Sequence, residues 1–204
     1  LSDITLEGEV LSIGACATHS HIAASPLVQQ HAPTLALLEG QLANEQVRNQ
    51  GTLGGNLAYA DPTTDPPGCL LALNAHVVLQ GQQGHRQMGM DAFLTDYFET
   101  ALQQDEILTR VLIPISDTPG RTTYLRHLRT PADHRPMANV SVFTQGDGTD
   151  SQQIRVVLAA ATPMPWSVPF ADELLRSPLR AQDVDDFAGQ AAQEMQALSD
   201  ARCD

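Results

Sequence analysis

The sequence predicts an α+β protein in two lobes, divided near residue 118. Three observations carry this reading. Strand-like and helix-like segments are mixed over roughly the first half of the chain. Three strand-like runs then follow in series, and from Asp172 the apolar spacing turns helical. Between the two parts, Ser116 to Gly120 (Ser-Asp-Thr-Pro-Gly) is the strongest linker signal. The expected domains are therefore 1–117 and 118–204, the second a small antiparallel sheet with helices.

In chain order, Ile4-Thr5-Leu6 and Val10-Leu11-Ser12-Ile13 alternate about Glu7-Gly8-Glu9, the pattern of a β-hairpin. Ser25-Pro26 sets an N-cap before a proline in a first helical turn. Pro33 to Ala43 carries Leu35, Leu38 and Leu42 on one stripe and reads as a helix. A glycine-rich stretch follows. Asp65-Pro66-Pro67 repeats the cap-plus-proline signal ahead of a short buried helix, Cys69 to Leu73. Ala75 to Leu79 and Arg86 to Met90 read as strands around a turn at Gly81 to Gly84, and Phe93, Tyr97 and Phe98 as a helical patch. Ile107 to Ile113 is a strand. Beyond the linker, strands are expected at Thr122–Arg129, Ala138–Gln145 and Ile154–Ala161, with Gly146-Asp147-Gly148 as a turn. Val184, Phe187, Ala191, Met195 and Leu198 form a helical apolar stripe, read as core.

Composition narrows the function. With 204 residues and 42% apolar content, the chain can bury one large core or two small ones. Eleven basic against 24 acidic residues give a formal charge of −13. That argues against nucleic acid and anionic membrane surfaces as partners, since both want a basic face. No apolar run reaches membrane-spanning length and no signal peptide is visible. Cys16, Cys69 and Cys203 are scattered, so they cannot alone ligate an iron–sulfur cluster or a structural zinc. Their sparse, odd number fits a reducing compartment, and the expected localisation is cytoplasmic.

The densest motif is Gly51-Thr52-Leu53-Gly54-Gly55-Asn56. It is neither a P-loop nor a Rossmann turn, having no lysine and the wrong glycine spacing. Adjacent glycines can take positive φ, and successive backbone N–H groups can then form a nest for anionic oxygen. Thr52 and Asn56 add a hydroxyl and an amide. Asp61-Pro62 and Asp65-Pro66 each place a carboxylate at a possible helix start. From these residues alone, a ligand cradle and a tight turn with two caps both stay open.

Five segments, IGACATHSHIA, PLVQQHAPTLALL, QVRNQGTLGGNLAYADPTTDPPGCLLALNAHVVL, DEILTRVLIPI and YLRHLRTPAD followed by MANVSV, occur in the order and spacing of one family. The chain resembles the FAD-binding (medium) subunits of molybdenum hydroxylases, of the CO dehydrogenase and xanthine dehydrogenase type. The resemblance covers nearly the whole chain, and R-N-x-G-T-x-G-G-N-x-x-x-A-D-P-x-x-D is a specific signature. It implies the second lobe of a PCMH-type FAD-binding domain, followed by a CO dehydrogenase flavoprotein C-terminal-like domain. It also implies FAD-binding roles for Thr52, Leu53, Gly54, Gly55 and Asn56 at the diphosphate and ribityl region, and for Asp65 as the carboxylate that hydrogen-bonds the flavin. Leu108 matches an apolar residue lining the cofactor pocket. Tyr124 and Arg126 match a Y-x-K-x-x-R segment near the isoalloxazine, with arginine replacing the usual lysine, a change from a point charge to a planar fork.

The implied function is electron transfer. The flavin would receive electrons from a 2Fe-2S small subunit and pass them to NAD, a quinone or another acceptor. A molybdopterin-binding large subunit would carry the substrate chemistry, and no catalytic residue or metal site is expected on this chain. The family's first glycine-rich loop, of the A-G-G-x-S kind, has no counterpart in the sequence; the hairpin at residues 4–13 resembles the segment after the N-terminal lobe that carries it. The expectation is thus a partial cofactor site, lacking that lobe. Two other readings stand beside it: a truncated, non-flavin-binding interaction scaffold or relic of that family, and an unrelated phosphate-binding enzyme using the same nest. His19 and His21 read as solvated or capping residues rather than a metal pair. His127 and His134 read as surface or partner contacts, and Trp166 as a lobe-packing residue. No serine lies in a G-x-S-x-G setting.

Overall fold

The computed structural model describes residues 1–115, 120–130, 133–146, 153–175 and 179–199. Alternation at the N-terminus makes the expected hairpin: β1 (Ile4–Glu7) pairs antiparallel with β2 (Val10–Gly14), and Leu11 and Ile13 are fully buried. Six short helices follow: α1 (His19–Ala24), α2 (Pro26–His31), α3 (Pro33–Gln41), α4 (Glu45–Gln50), α5 (Leu53–Tyr59) and α6 (Pro66–Ala72). Side-chain caps divide this stretch. Thr18, Ser25, Asn44 and Thr52 each accept a hydrogen bond from the amide three residues on, at 3.2, 3.5, 2.9 and 3.1 Å.

Two expectations are corrected here. The Gly51–Asn56 motif is neither a nest of positive-φ glycines nor a tight turn: Gly51 ends α4, Thr52 caps α5, and neither Gly54 nor Gly55 has positive φ. Asp65 and Asp61 are not caps. Asp65 precedes α6 with helical angles (φ −84°, ψ −39°) and makes no capping bond, and Asp61 lies in a turn.

The chain then forms β3 (His76–Gly81) and β4 (Gly84–Gly89), a one-turn helix α7 (Met90–Phe93), β5 (Leu94–Asp96), β6 (Glu99–Thr100) and β7 (Ile107–Pro114). The expected helical patch stops at Phe93. Tyr97 and Phe98 instead turn the β5–β6 hairpin, with Phe98 left-handed at φ 57°. The first sheet is antiparallel throughout, in the order β1-β2-β7-β3-β4. Its apolar face (Leu11, Ile13, Val77, Leu79, Val111, Ile113) packs under Ile22, Leu35, Leu38, Leu53, Leu57 and Leu70 of the helices.

A second antiparallel sheet, the meander expected from the sequence, contains β8 (Gly120–His127), β9 (Ala138–Gln145), β10 (Gln153–Ala159) and β11 (Trp166–Ser167), in the order β11-β10-β9-β8. A 3₁₀ turn (Ala171–Leu175) and α8 (Ala181–Glu194) follow. The C-terminal stripe is less buried than expected. Ala191 is buried and Phe187 packs edge-on against Phe170, but Val184 is exposed, and Met195 and Leu198 lie beyond the helix. Trp166 packs against the second lobe's small apolar cluster. Most of the expected linker (116–119) and of the Gly146 to Gly148 turn lies outside the described residues, as does Cys203.

α6 is where the lobes meet. A Cβ on Gly68 would stand 3.0 Å from Cβ of Ala159 and 3.1 Å from Asn139 Oδ1, so glycine lets this helix lie close to the second sheet without displacing either neighbour. Arg155 donates to the Ala72 carbonyl at the end of α6 (2.7 Å), and Thr34 Oγ1 donates to the Thr122 carbonyl of β8 (2.9 Å). Among the described residues, no helix is long and apolar enough to cross a membrane.

Candidate cofactor site

α5 forms one wall of a cleft of about 610 Å³. Its start is fixed by an antiparallel bridge between Thr18 and Thr52 and by the Thr52 cap. Gly54 lies on the far side of α5, where its Cα faces Ala15; a Cβ there would fall 2.5 Å from Cβ of Ala15. Thr52, Gly55, Asn56 and Tyr59 face the cleft. Asn56 Oδ1 accepts from Thr64 Oγ1 at 3.2 Å, which leaves its NH₂ group as the donor toward the space.

The floor is formed by the 61–65 turn, whose two carboxylates are buried and neutralised from the second lobe. Asp61 accepts from the Thr63 amide (2.9 Å) and hydroxyl (2.7 Å), and its other oxygen is ion-paired with Arg135. Asp65, 2% exposed, accepts from the Tyr124 hydroxyl, from Asn139 Nδ2 at 3.3 Å and from Arg126 at 3.4 Å. Burial pushes the Asp65 carboxyl above its ordinary range, and the bonds from Tyr124, Arg126 and Asn139 pull it back in part. Burial and the Asp65 charge together push the Tyr124 hydroxyl up, so it stays a proton donor. With Arg126 and Arg135 pairing with the two acids, the floor presents little net charge.

Residues 1–116 match the family described as the FAD binding domain in molybdopterin dehydrogenase. The chain belongs to this family. It is 34% identical over 179 residues to the nicotine 6-hydroxylase medium subunit of Paenarthrobacter nicotinovorans, covering 86% of this chain and 62% of that protein. It is 31% identical over 163 residues to the carbon monoxide dehydrogenase medium chain of Hydrogenophaga pseudoflava, covering 80% and 56%. The solved carbon monoxide dehydrogenase from H. pseudoflava superposes with a TM-score of 0.91 at 29% identity, over 99% of this chain and 70% of that one. The chain thus spans about six-tenths of the length of these curated relatives. The α+β class expected from the order of elements is the fold they share.

Of the nine residues expected to bind the family's FAD, Thr52, Gly55, Asn56 and Asp65 line the cleft. Tyr124 and Arg126 reach it through Asp65. Leu53 and Gly54 face away, and Leu108 lies in the core of β7 opposite Leu79, 8% exposed. The amide nest is not formed. The N–H groups of Leu53, Gly54 and Gly55 go to the Ala17 carbonyl (3.1 Å), the Ala15 carbonyl (2.9 Å) and the Thr52 hydroxyl. A second cavity of about 560 Å³, near Pro33, Phe143 and Arg155, is lined by none of the nine.

Sequence reasoning missed Arg135, Asn139, Tyr59 and the His19–Glu39 pair. His19, expected to be solvated or capping, is 3% exposed, with Nδ1 2.5 Å from Oε2 of the fully buried Glu39. Burial raises the Glu39 carboxyl above its ordinary range, against the hydrogen bond from His19. Among the described residues, no group of three or more His, Cys, Asp or Glu is placed to hold a metal.

Proposed function

We propose that this chain is the FAD-binding, electron-transfer subunit of a molybdenum hydroxylase. The observation that carries it is the convergence of Thr52, Gly55, Asn56 and Asp65, all from one signature block of an FAD-binding family, on a single charge-balanced cleft. In this reading Thr52, Leu53, Gly54, Gly55 and Asn56 form the diphosphate and ribityl wall, with Leu53 and Gly54 acting by fixing the start of α5. Asp65 is the flavin carboxylate, held by Tyr124 and Arg126, and Leu108 shapes the apolar side. The bound flavin would accept and release electrons one or two at a time. The chain's own part is to bind it, orient it and keep the buried carboxylates neutralised.

The partners proposed are a 2Fe-2S small subunit as electron donor, a molybdopterin-binding large subunit, and NAD, a quinone or another acceptor. The proposed location is the cytoplasm, consistent with sparse cysteine use. The proposed domains are 1–117 and 118–204. One observation favours a second reading, a scaffold that holds no flavin: the amides of Leu53, Gly54 and Gly55 are already bonded within the chain.

Titration of the purified chain with FAD, followed by flavin fluorescence and by calorimetry, separates the two. Saturable binding that is weakened by N56A supports the flavoprotein. A chain that ignores FAD, both alone and in its assembled complex, supports the scaffold and ends the first reading.

A further inference from the structure

His19 lines the cleft and makes a buried contact with the Glu39 carboxyl, and a buried pair of this kind is weak evidence of a stabilising role. Glu39 has a second oxygen, Oε1, with no hydrogen-bond partner. The far edge of the His19 ring abuts Gly51 of the signature block. A Cβ on Gly51 would stand 2.9 Å from Cδ2 and 3.1 Å from Nε2, so this glycine makes room for the imidazole. The His19 amide donates to the Gly51 carbonyl at 3.1 Å, so ring and wall are held together by main chain. Nε2 has no hydrogen-bond partner among the described residues. A carboxylate on one ring nitrogen fixes the tautomer and leaves the other nitrogen for a ligand.

We infer that His19 is a further cofactor-binding residue, which presents Nε2 to an oxygen of the flavin nucleotide while Glu39 holds Nδ1. This rests on the FAD reading above. With Nδ1 turned to Glu39 Oε2 at 2.5 Å, Nε2–H is the ring donor left for the nucleotide oxygen. A histidine kept only for structure would need Nδ1 alone.

The two nitrogens can be separated by substitution. Asparagine reproduces the Nδ1 contact without Nε2, and glutamine reproduces Nε2 without Nδ1. H19N is expected to melt within about 3 °C of wild type, yet to bind FAD about tenfold more weakly. H19Q is expected to melt lower but to bind FAD within about threefold of wild type. In wild-type chain labelled with ¹⁵N-histidine, the Nε2 resonance of His19 is expected to shift on adding FAD, a readout that does not depend on either variant folding. A loss shared by FAD and ADP assigns a phosphate oxygen, and one shared by FAD and riboflavin assigns a ring carbonyl; either supports the inference. H19N binding FAD as tightly as wild type, or an unmoved Nε2 resonance in the FAD-bound chain, overturns it while leaving the flavoprotein reading intact. Wild-type chain that fails to bind FAD overturns both.

Discussion

Asp65 is the residue on which the two lobes converge. Its carboxylate takes hydrogen bonds from Tyr124, Asn139 and Arg126, all from the second sheet, at a buried position. D65A should therefore destabilise the chain by about 3 kcal/mol, because it leaves Arg126 and two buried donors without their acceptor. Y124F removes one donor and should lose about 1 kcal/mol. Urea unfolding of both variants tests the order; a Y124F loss equal to that of D65A would rule out the shared-acceptor account. The Asp-Pro-Pro run advertises a cap, and the reason it misleads is visible in the chain itself. A cap carboxylate accepts from the amides two and three residues on, but Pro67 has no N–H, and the helical angles at Asp65 turn its side chain elsewhere. Glycine misleads at Gly54 for a related reason. Composition reveals that the backbone is bare there, but not that the bareness serves a close contact with Ala15.

At the scale of elements, local chemistry was legible where it acts locally. The β1–β2 and β3–β4 hairpins, α3, α6 and β9 lie where alternation, leucine spacing and Ser or Pro punctuation place them. α5 was not legible, since Gly54 and Gly55 lower helix propensity and only the Thr52 cap, with tertiary packing, restores it; α4 is a six-residue helix started by the Asn44 cap. The spacing of Phe93, Tyr97 and Phe98 mimics a helix, yet the chain turns there and the three exposed rings of Tyr59, Phe98 and Tyr97 stack edge to face. One pairing between elements has a defined pH signature. Arg86 of β4 grips Glu106, just before β7, with two bonds of 2.7 and 2.8 Å, and the Gln103 amide adds a third at 2.9 Å. The Arg86 bonds hold the Glu106 carboxyl down at about 2, from an ordinary value of 4.5. A lowered carboxyl stabilises the fold above its unfolded value and loses that contribution as pH falls toward the folded one. Stability from this pair should thus fade between about pH 4.5 and pH 2, and E106Q should flatten that part of a stability–pH curve. An unchanged slope in E106Q would show the pair to be inert.

For the whole molecule, the order of segments sufficed for the α+β class, but the way the lobes join left no local trace. The contacts concerned link residues 59 to 88 positions apart, as in Tyr124 to Asp65, Arg135 to Asp61, Arg155 to Ala72 and Thr34 to Thr122. These polar links and the bare flank of α6 at Gly68 should make the lobes unfold as one unit. Trp166 is the single tryptophan and reports on the second lobe, whereas far-UV circular dichroism reports on both. The two transitions in urea should coincide, and a tryptophan signal lost ahead of the ellipticity would mean independent lobes. A carboxylate that is both the bed of a crevice and the pin of a joint serves two masters. Whatever settles against Asp65 tightens or loosens the grip between the halves, and whatever pries the halves apart reshapes the seat, so heat and occupancy press on the same lever.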